Sequence, residues 1–98
     1  MPRRKGQHFL VSSSVAEKIL EIAEVTATDF VLEIGPGKGA LTDLLVRRAR
    51  KVIALEIDAK LVEVLKGKFS QSENIEILHT DALKYDYDGL PERVKIVA

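Results

Sequence analysis

Cysteine is absent from this 98-residue chain. That excludes a disulfide framework, a thiolate nucleophile and a cysteine-based metal site, and it suits a reducing compartment. Long apolar runs are absent too: none approaches the roughly 20 residues of a membrane span. The first residues are basic, but no signal-peptide apolar core follows them. Nor is there an excess of one charge. Fifteen basic and fifteen acidic side chains cancel, so no global field draws the chain to nucleic acid. These absences read as a cytosolic chain of one domain, or part of one. What is present agrees: 46% apolar residues for a core and 31% charged residues for a solvated surface.

The pattern along the chain alternates. Residues 1–13 form an arm whose Arg3, Arg4 and Lys5 precede any acid. The arm is expected to meet the phosphates of a polyanion or to serve as a solvated tail. From Ser14 a capping-box pattern opens a helix with Val15, Ile19, Ile22 and Ala23 on one face. Phe30 to Ile34 reads as a strand buried on both faces. Leu41, Leu44 and Leu45 mark a second helix, with Arg47, Arg48 and Arg50 near its end. Val52 to Ile57 reads as a second strand, and Asp58 as the cap of a helix facing inward through Leu61, Val64, Leu65 and Phe69. Asn74 to His79 is a third strand, Asp86 to Glu92 a turn-rich loop, and Val94 to Ala98 the start of a fourth strand. Strands separated by helices imply right-handed crossovers and a parallel sheet. Ligands of such sheets bind beyond the carboxyl ends of the strands.

The residues at those ends carry the chemistry. After the first strand stands Gly35-Pro36-Gly37-Lys38-Gly39, where glycine permits positive φ and close approach of a ligand. Gly35, Gly37 and Ala40 fit the dinucleotide pattern G-x-G-x-x-G/A. The P-loop pattern is missing, so Lys38 is not a nucleotide-phosphate lysine. Glu33, at the end of a buried strand, needs partners: loop N–H groups or a cationic ligand. Glu56 ends the second strand, where a carboxylate accepts from both hydroxyls of a ribose. A solvated strand-end acid is the plainer alternative. Asp58 is better read as a helix cap. Asp81, after the third strand, suits the exocyclic amine of an adenine or, equally, an ordinary turn. A nicotinamide dinucleotide needs its pyrophosphate accommodated at a helix N-terminus. An adenosyl cofactor without phosphates needs acids, and Glu33, Glu56 and Asp81 supply them.

The stretches "VLEIGPGKGALT", "VIALEID" and "TDAL" resemble successive motifs of the S-adenosylmethionine-dependent methyltransferases. With "RRKGQHFL" before them, the whole chain resembles the ribosomal RNA adenine dimethyltransferases. The resemblance implies an α/β, Rossmann-like fold with strand order 3-2-1-4. It implies S-adenosyl-L-methionine as cofactor, no metal, and adenine N6 atoms of small-subunit ribosomal RNA as methyl acceptors. Residue by residue, it implies that His8 and Leu10 border the cofactor pocket, Gly35 faces the methionine part, Glu56 binds the ribose and Asp81 the adenine amine. His8 stands where asparagine is often found. On the residues alone it reads as a loop histidine, and Phe9 and Leu10 as a staple onto the core.

The family's catalytic asparagine-proline-aromatic motif follows the fourth strand, just after Ala98. No catalytic residue is therefore assigned within residues 1–98, and the chain is expected to be an inactive N-terminal fragment whose residues 14–98 form the N-terminal part of the methyltransferase domain, without the later strands and the family's C-terminal helical domain. Its fourth strand is expected to be an edge through which it self-associates. Two other readings stand beside this one. They are a large-subunit methylase of the macrolide-resistance type and a non-catalytic RNA-binding or transcription-factor relative.

Overall fold

A computed structural model describes residues 13–98. Four parallel strands form the sheet: β1 Phe30–Ile34, β2 Lys51–Glu56, β3 Ile75–His79 and β4 Lys95–Val97. Their order is β3-β2-β1-β4, the expected 3-2-1-4. Helices α1 Ser13–Ala23, α2 Ala40–Arg48 and α3 Ala59–Lys68 alternate with them. Two short 3-10 turns, Ala82–Lys84 and Tyr87–Gly89, occupy the stretch between β3 and β4.

β1 is an inner strand, paired on both sides, and its three middle residues, Val31, Leu32 and Glu33, are buried. Val31 and Val52 pair in register and pack with Val97 against Ala16 and Leu20 of α1 and Leu41 and Leu45 of α2. Leu32 and Ile53, paired one step later, fall on the opposite face. Ile96 of β4 pairs with Leu32 and is largely exposed.

Two helix faces depart from expectation. α1 buries Ala16 and Leu20, with Ile19 and Ala23 partly buried, whereas Val15 and Ile22 are exposed. The expected face was centred too far round the helix. Val15 and Ile22, seven residues apart, flank the core instead of facing it. In α3, Val62 is buried and Val64 is exposed, again a rotation of the inward face, while Leu65 and Phe69 are buried as expected. The bounds of α1 also place Ser14 inside the helix, not at its cap. Asp58 does cap α3: its carboxylate accepts from the N–H groups of Lys60 at 2.8 Å and Leu61 at 3.3 Å.

α1 ends without a glycine. Val25 N–H reaches Leu20 C=O at 3.3 Å and Glu24 N–H reaches Glu21 C=O at 3.1 Å. That is the Schellman arrangement, with Glu24 in the left-handed region at φ 54°. Val25, just beyond it, is buried. The Lys95 ammonium then binds the Ala23 and Glu24 carbonyls at 2.9 and 2.6 Å, and Asp29 at 3.1 Å. A cation there complements the negative end of α1 and ties β4 to it. Asn74 does similar work for α2, donating to Val46 C=O at 2.8 Å and Ala49 C=O at 3.2 Å. Arg48 of α2 pairs with Glu17 of α1.

Candidate functional site

The three glycines of the loop after β1 all have positive φ: Gly35 69°, Gly37 61° and Gly39 91°. Gly39 is needed on a second count. A Cβ there would lie 2.9 Å from the Leu65 side chain and 3.0 Å from the Phe69 ring, so both would have to give way to any larger residue. Gly35 is the reverse case. Space within 4 Å of where its Cβ would lie is open, so its backbone faces a gap and not a neighbour. Its N–H donates to Leu55 C=O at 2.9 Å, which anchors the start of the loop to β2.

Glu56, at the end of β2, is only 5% exposed. One carboxylate oxygen accepts from Gly37 N–H at 3.2 Å and the other from Asp58 N–H at 3.0 Å. The solvated-acid alternative is therefore wrong. This is a buried carboxylate oriented by two backbone donors, with a second lone pair on each oxygen still available. The backbone carbonyl of Glu56 accepts from Thr80 N–H at 3.0 Å, which aligns the end of β3 with that of β2. Next comes Asp81. Its carboxylate accepts from Leu83 N–H at 2.9 Å and caps the first 3-10 turn. The turn reading of Asp81 thus holds, and the residue also lines the cleft described next.

Gly35, Glu56 and Asp81 share one cleft of about 220 Å³, together with Ile34, Leu55, Ile57, Thr80 and Ala82. Three strand ends thus meet at one opening, as a parallel sheet dictates. Ile57 was not singled out in the sequence, where it read as the last residue of β2. It lies beyond that strand, is 65% exposed and presents an apolar side chain to the cleft. Its signal was an isoleucine set between two acids, Glu56 and Asp58, where a polar loop residue is the ordinary choice.

Glu33 is 3% exposed and accepts from the Thr42 hydroxyl of α2 at 2.5 Å. Its partner is thus a helix side chain and not the expected loop N–H groups. Burial pushes its carboxyl up to about 7; the Thr42 bond works against that shift and the nearby Glu56 charge adds to it. His8 and Leu10, the other expected site residues, lie outside the described residues. So do Arg3, Arg4 and Lys5. Among the described residues no cluster of acids and histidines could hold a metal ion, and no helix is long and apolar enough to cross a membrane.

The sequence model of the ribosomal RNA adenine dimethylase family matches residues 2–96. A probable ribosomal RNA small subunit methyltransferase A from Methanopyrus kandleri is 48% identical over 97 residues, covering 98% of this chain and 34% of that protein. Among solved structures, the 23S rRNA methyltransferase ErmE superposes with a TM-score of 0.72 at 40% identity, over 76% of this chain and 31% of that one. A dimethyladenosine transferase from Plasmodium falciparum gives 0.73 at 33% identity, over 78% and 28%. The chain therefore spans about a third of the length of the relatives it matches. Its fold is the Rossmann-like fold of the S-adenosylmethionine-dependent methyltransferases, and the chain belongs to the ribosomal RNA adenine dimethylase family.

Proposed function

We propose that this chain supplies the cofactor cradle of an enzyme that methylates adenine N6 atoms of small-subunit ribosomal RNA, using S-adenosyl-L-methionine. The observation that carries the reading is the shared cleft: an open glycine backbone at Gly35, a buried carboxylate at Glu56 and a carboxylate at Asp81. The residues fit an adenosyl group. Glu56 is held by two N–H groups and retains lone pairs for two ribose hydroxyls. Asp81 accepts from the adenine amine, Ile57 offers the ring an apolar wall, and Gly35 admits the methionine portion. A cleft of about 220 Å³ is smaller than the roughly 300–1,000 Å³ of sites that enclose a whole ligand, which suits the adenosine part. His8 and Leu10 border the same pocket in this proposal.

When bound, the cofactor supplies a methyl group already activated by its sulfonium. The chain's own contribution is positioning and electrostatics. Glu33, neutral or charged according to pH, sits behind the loop and braces the first turn of α2 through Thr42. No residue in 1–98 is assigned to the acceptor amine. The target adenine has to leave its stack to reach the methyl group.

The test is transfer of labelled methyl from S-adenosylmethionine to unmethylated small ribosomal subunits by the full-length protein. Dimethyladenosine in the small-subunit RNA is the expected product. Residues 1–98 alone are expected to bind cofactor weakly and to transfer nothing; turnover by them would overturn this division of labour. The 40% identity to ErmE favours one second reading, a large-subunit acceptor, and the same assay on large subunits decides it. The cytoplasm is the proposed location.

We also infer that residues 1–98 self-associate. Among the described residues β4 pairs with β1 alone, and Ile96 is 56% exposed beside that open edge. An unpaired apolar edge is a template for another strand. Sedimentation should show concentration-dependent association that Ile96→Lys suppresses. A monomer at every concentration would refute it.

A further inference from the structure

Five cations among the described residues are ion-paired: Lys18, Arg47, Arg48, Lys51 and Lys95. Arg50 lies over the Phe30 ring, 5.6 Å from its centroid. Six others are exposed and make no ion pair: Lys84 and Arg93 lie between β3 and β4, and four, Lys38, Lys60, Lys66 and Lys68, gather on α3 and on the glycine loop that α3 packs against.

Their arrangement is ordered. Lys60, Val64 and Lys68 follow one another at i, i+4 and i+8, so they form a line along the outer face of α3 about 12 Å long. Val64, between the two lysines, is exposed. At the end of the line the Lys68 ammonium donates to the Lys38 backbone carbonyl at 3.2 Å and lies 5.5 Å from the Phe69 ring centroid. Lys68 is thereby held beside the residue that carries Lys38.

Folding does not account for this set. Lys66 and Lys68 complement the negative end of α3, but Lys60 is in its first turn, where a positive charge opposes the helix dipole. The Lys68 ammonium is held at the backbone of another lysine, Lys38, and neither is ion-paired. In sequence both ends of the set adjoin residues of the candidate site. Lys38 lies between Gly37, which donates to Glu56, and Gly39; Lys60 follows Glu56 by four residues.

We propose that Lys60, Lys68 and Lys38 form a docking strip for the phosphate backbone of RNA, running along α3 to the glycine loop. The proposal rests on the ribosomal RNA reading above and names the surface that engages the acceptor. Two lysines in line on α3 and a third on the adjoining loop, none of them ion-paired, match a polyanion, and α3's one acid, Glu63, is off that line. The strip needs no base contacts, because its part is to set the path of the strand past the cleft.

The experiment measures binding of a small-subunit ribosomal RNA hairpin to the full-length protein across a salt series. Three proteins are compared: unsubstituted, the triple variant Lys38→Gln/Lys60→Gln/Lys68→Gln, and a control triple variant Lys18→Gln/Arg47→Gln/Lys51→Gln. Each phosphate contact on single-stranded nucleic acid contributes about 0.7 to the slope of log affinity against log salt. The strip variant should therefore lose about 2 from that slope and bind at least tenfold more weakly at low salt. The control should keep the unsubstituted slope, and S-adenosylmethionine affinity should be the same in all three. Unchanged slope and affinity in the strip variant overturn the proposal, as does an equal loss in the control. An unsubstituted protein that does not bind the hairpin would instead sink the ribosomal RNA reading, and the strip with it.

Discussion

The two ends of the sheet are built on opposite terms. At the amino end, polar groups are closed off against one another. Asp29 accepts from Thr26 N–H at 2.7 Å and from Lys95 at 3.1 Å, and Lys95 also satisfies two carbonyls at the end of α1. At the carboxyl end, backbone at positive φ faces open space at Gly35, and two carboxylates keep lone pairs free. Capacity for hydrogen bonds is spent inside the fold at one end and held in reserve at the other. We propose that the reserve beside the cleft is for a ligand. The amino end should therefore answer to stability measurements, and the carboxyl end to binding.

The largest stability effect should come from Lys95→Met. It removes a charged donor from three acceptors, and we expect a loss of roughly 2–3 kcal/mol in chemical denaturation. Lys95→Arg should recover part of it. A loss below 0.5 kcal/mol, a surface-substitution value by order of magnitude, would mean that the closed end contributes little.

Comparable in size is a pH effect from the carboxyl end. Glu33 has its carboxyl raised to about 7 from an ordinary 4.5, so the folded state holds a proton that the unfolded state has released. Its contribution to stability is complete below about pH 4.5 and is lost as pH rises to about 7. The slope in that window reaches at most about 1.4 kcal/mol per pH unit. Glu33→Gln should flatten it. Asp29 acts in the opposite sense. Its carboxyl is lowered, first by the Thr26 N–H and then by Lys95, so its contribution is lost only as pH falls below the ordinary carboxylate range. A Glu33→Gln profile that still falls between pH 4.5 and 7 would reassign the effect to another group.

A smaller gain is expected from Glu24→Gly. Glu24 occupies the left-handed region at φ 54°, a conformation that costs a non-glycine residue about 1 kcal/mol. Glycine should raise stability by up to that amount, since the Schellman bonds are backbone bonds and survive the change. A destabilised variant would show that the Glu24 side chain has a role not visible in its contacts.

How much of this was legible from the chain follows the same division. The strand ends were: "EIGPG", "ALEID" and "TDAL" place Gly35, Glu56 and Asp81 by their position after apolar runs, and parallel topology brings such positions together whatever the packing. The rotation of α1 was not, because Val15, Ile19 and Ile22 are as apolar as Ala16 and Leu20. Only the neighbours in α2 and β4 decide which of them is covered. The end of α1 was also hidden, since a glutamate in the left-handed region carries no sequence signal of its own. Glu33's partner could not be foreseen either: Thr42 lies nine residues on, and the turn of α2 aims it back. Ile57 was misread because β2 ends one residue earlier than its apolar run.

The account turns on the reserved carboxylates, and calorimetric titration of S-adenosylmethionine tests them most directly. Glu56→Ala in the full-length protein should weaken binding by about 1–3 kcal/mol, the scale of hydrogen bonds to a charged group. Lys95→Arg, at the closed end, should leave affinity unchanged. Equal affinity for Glu56→Ala and the unsubstituted protein would remove Glu56 from the site and contradict the cofactor assignment of the cleft.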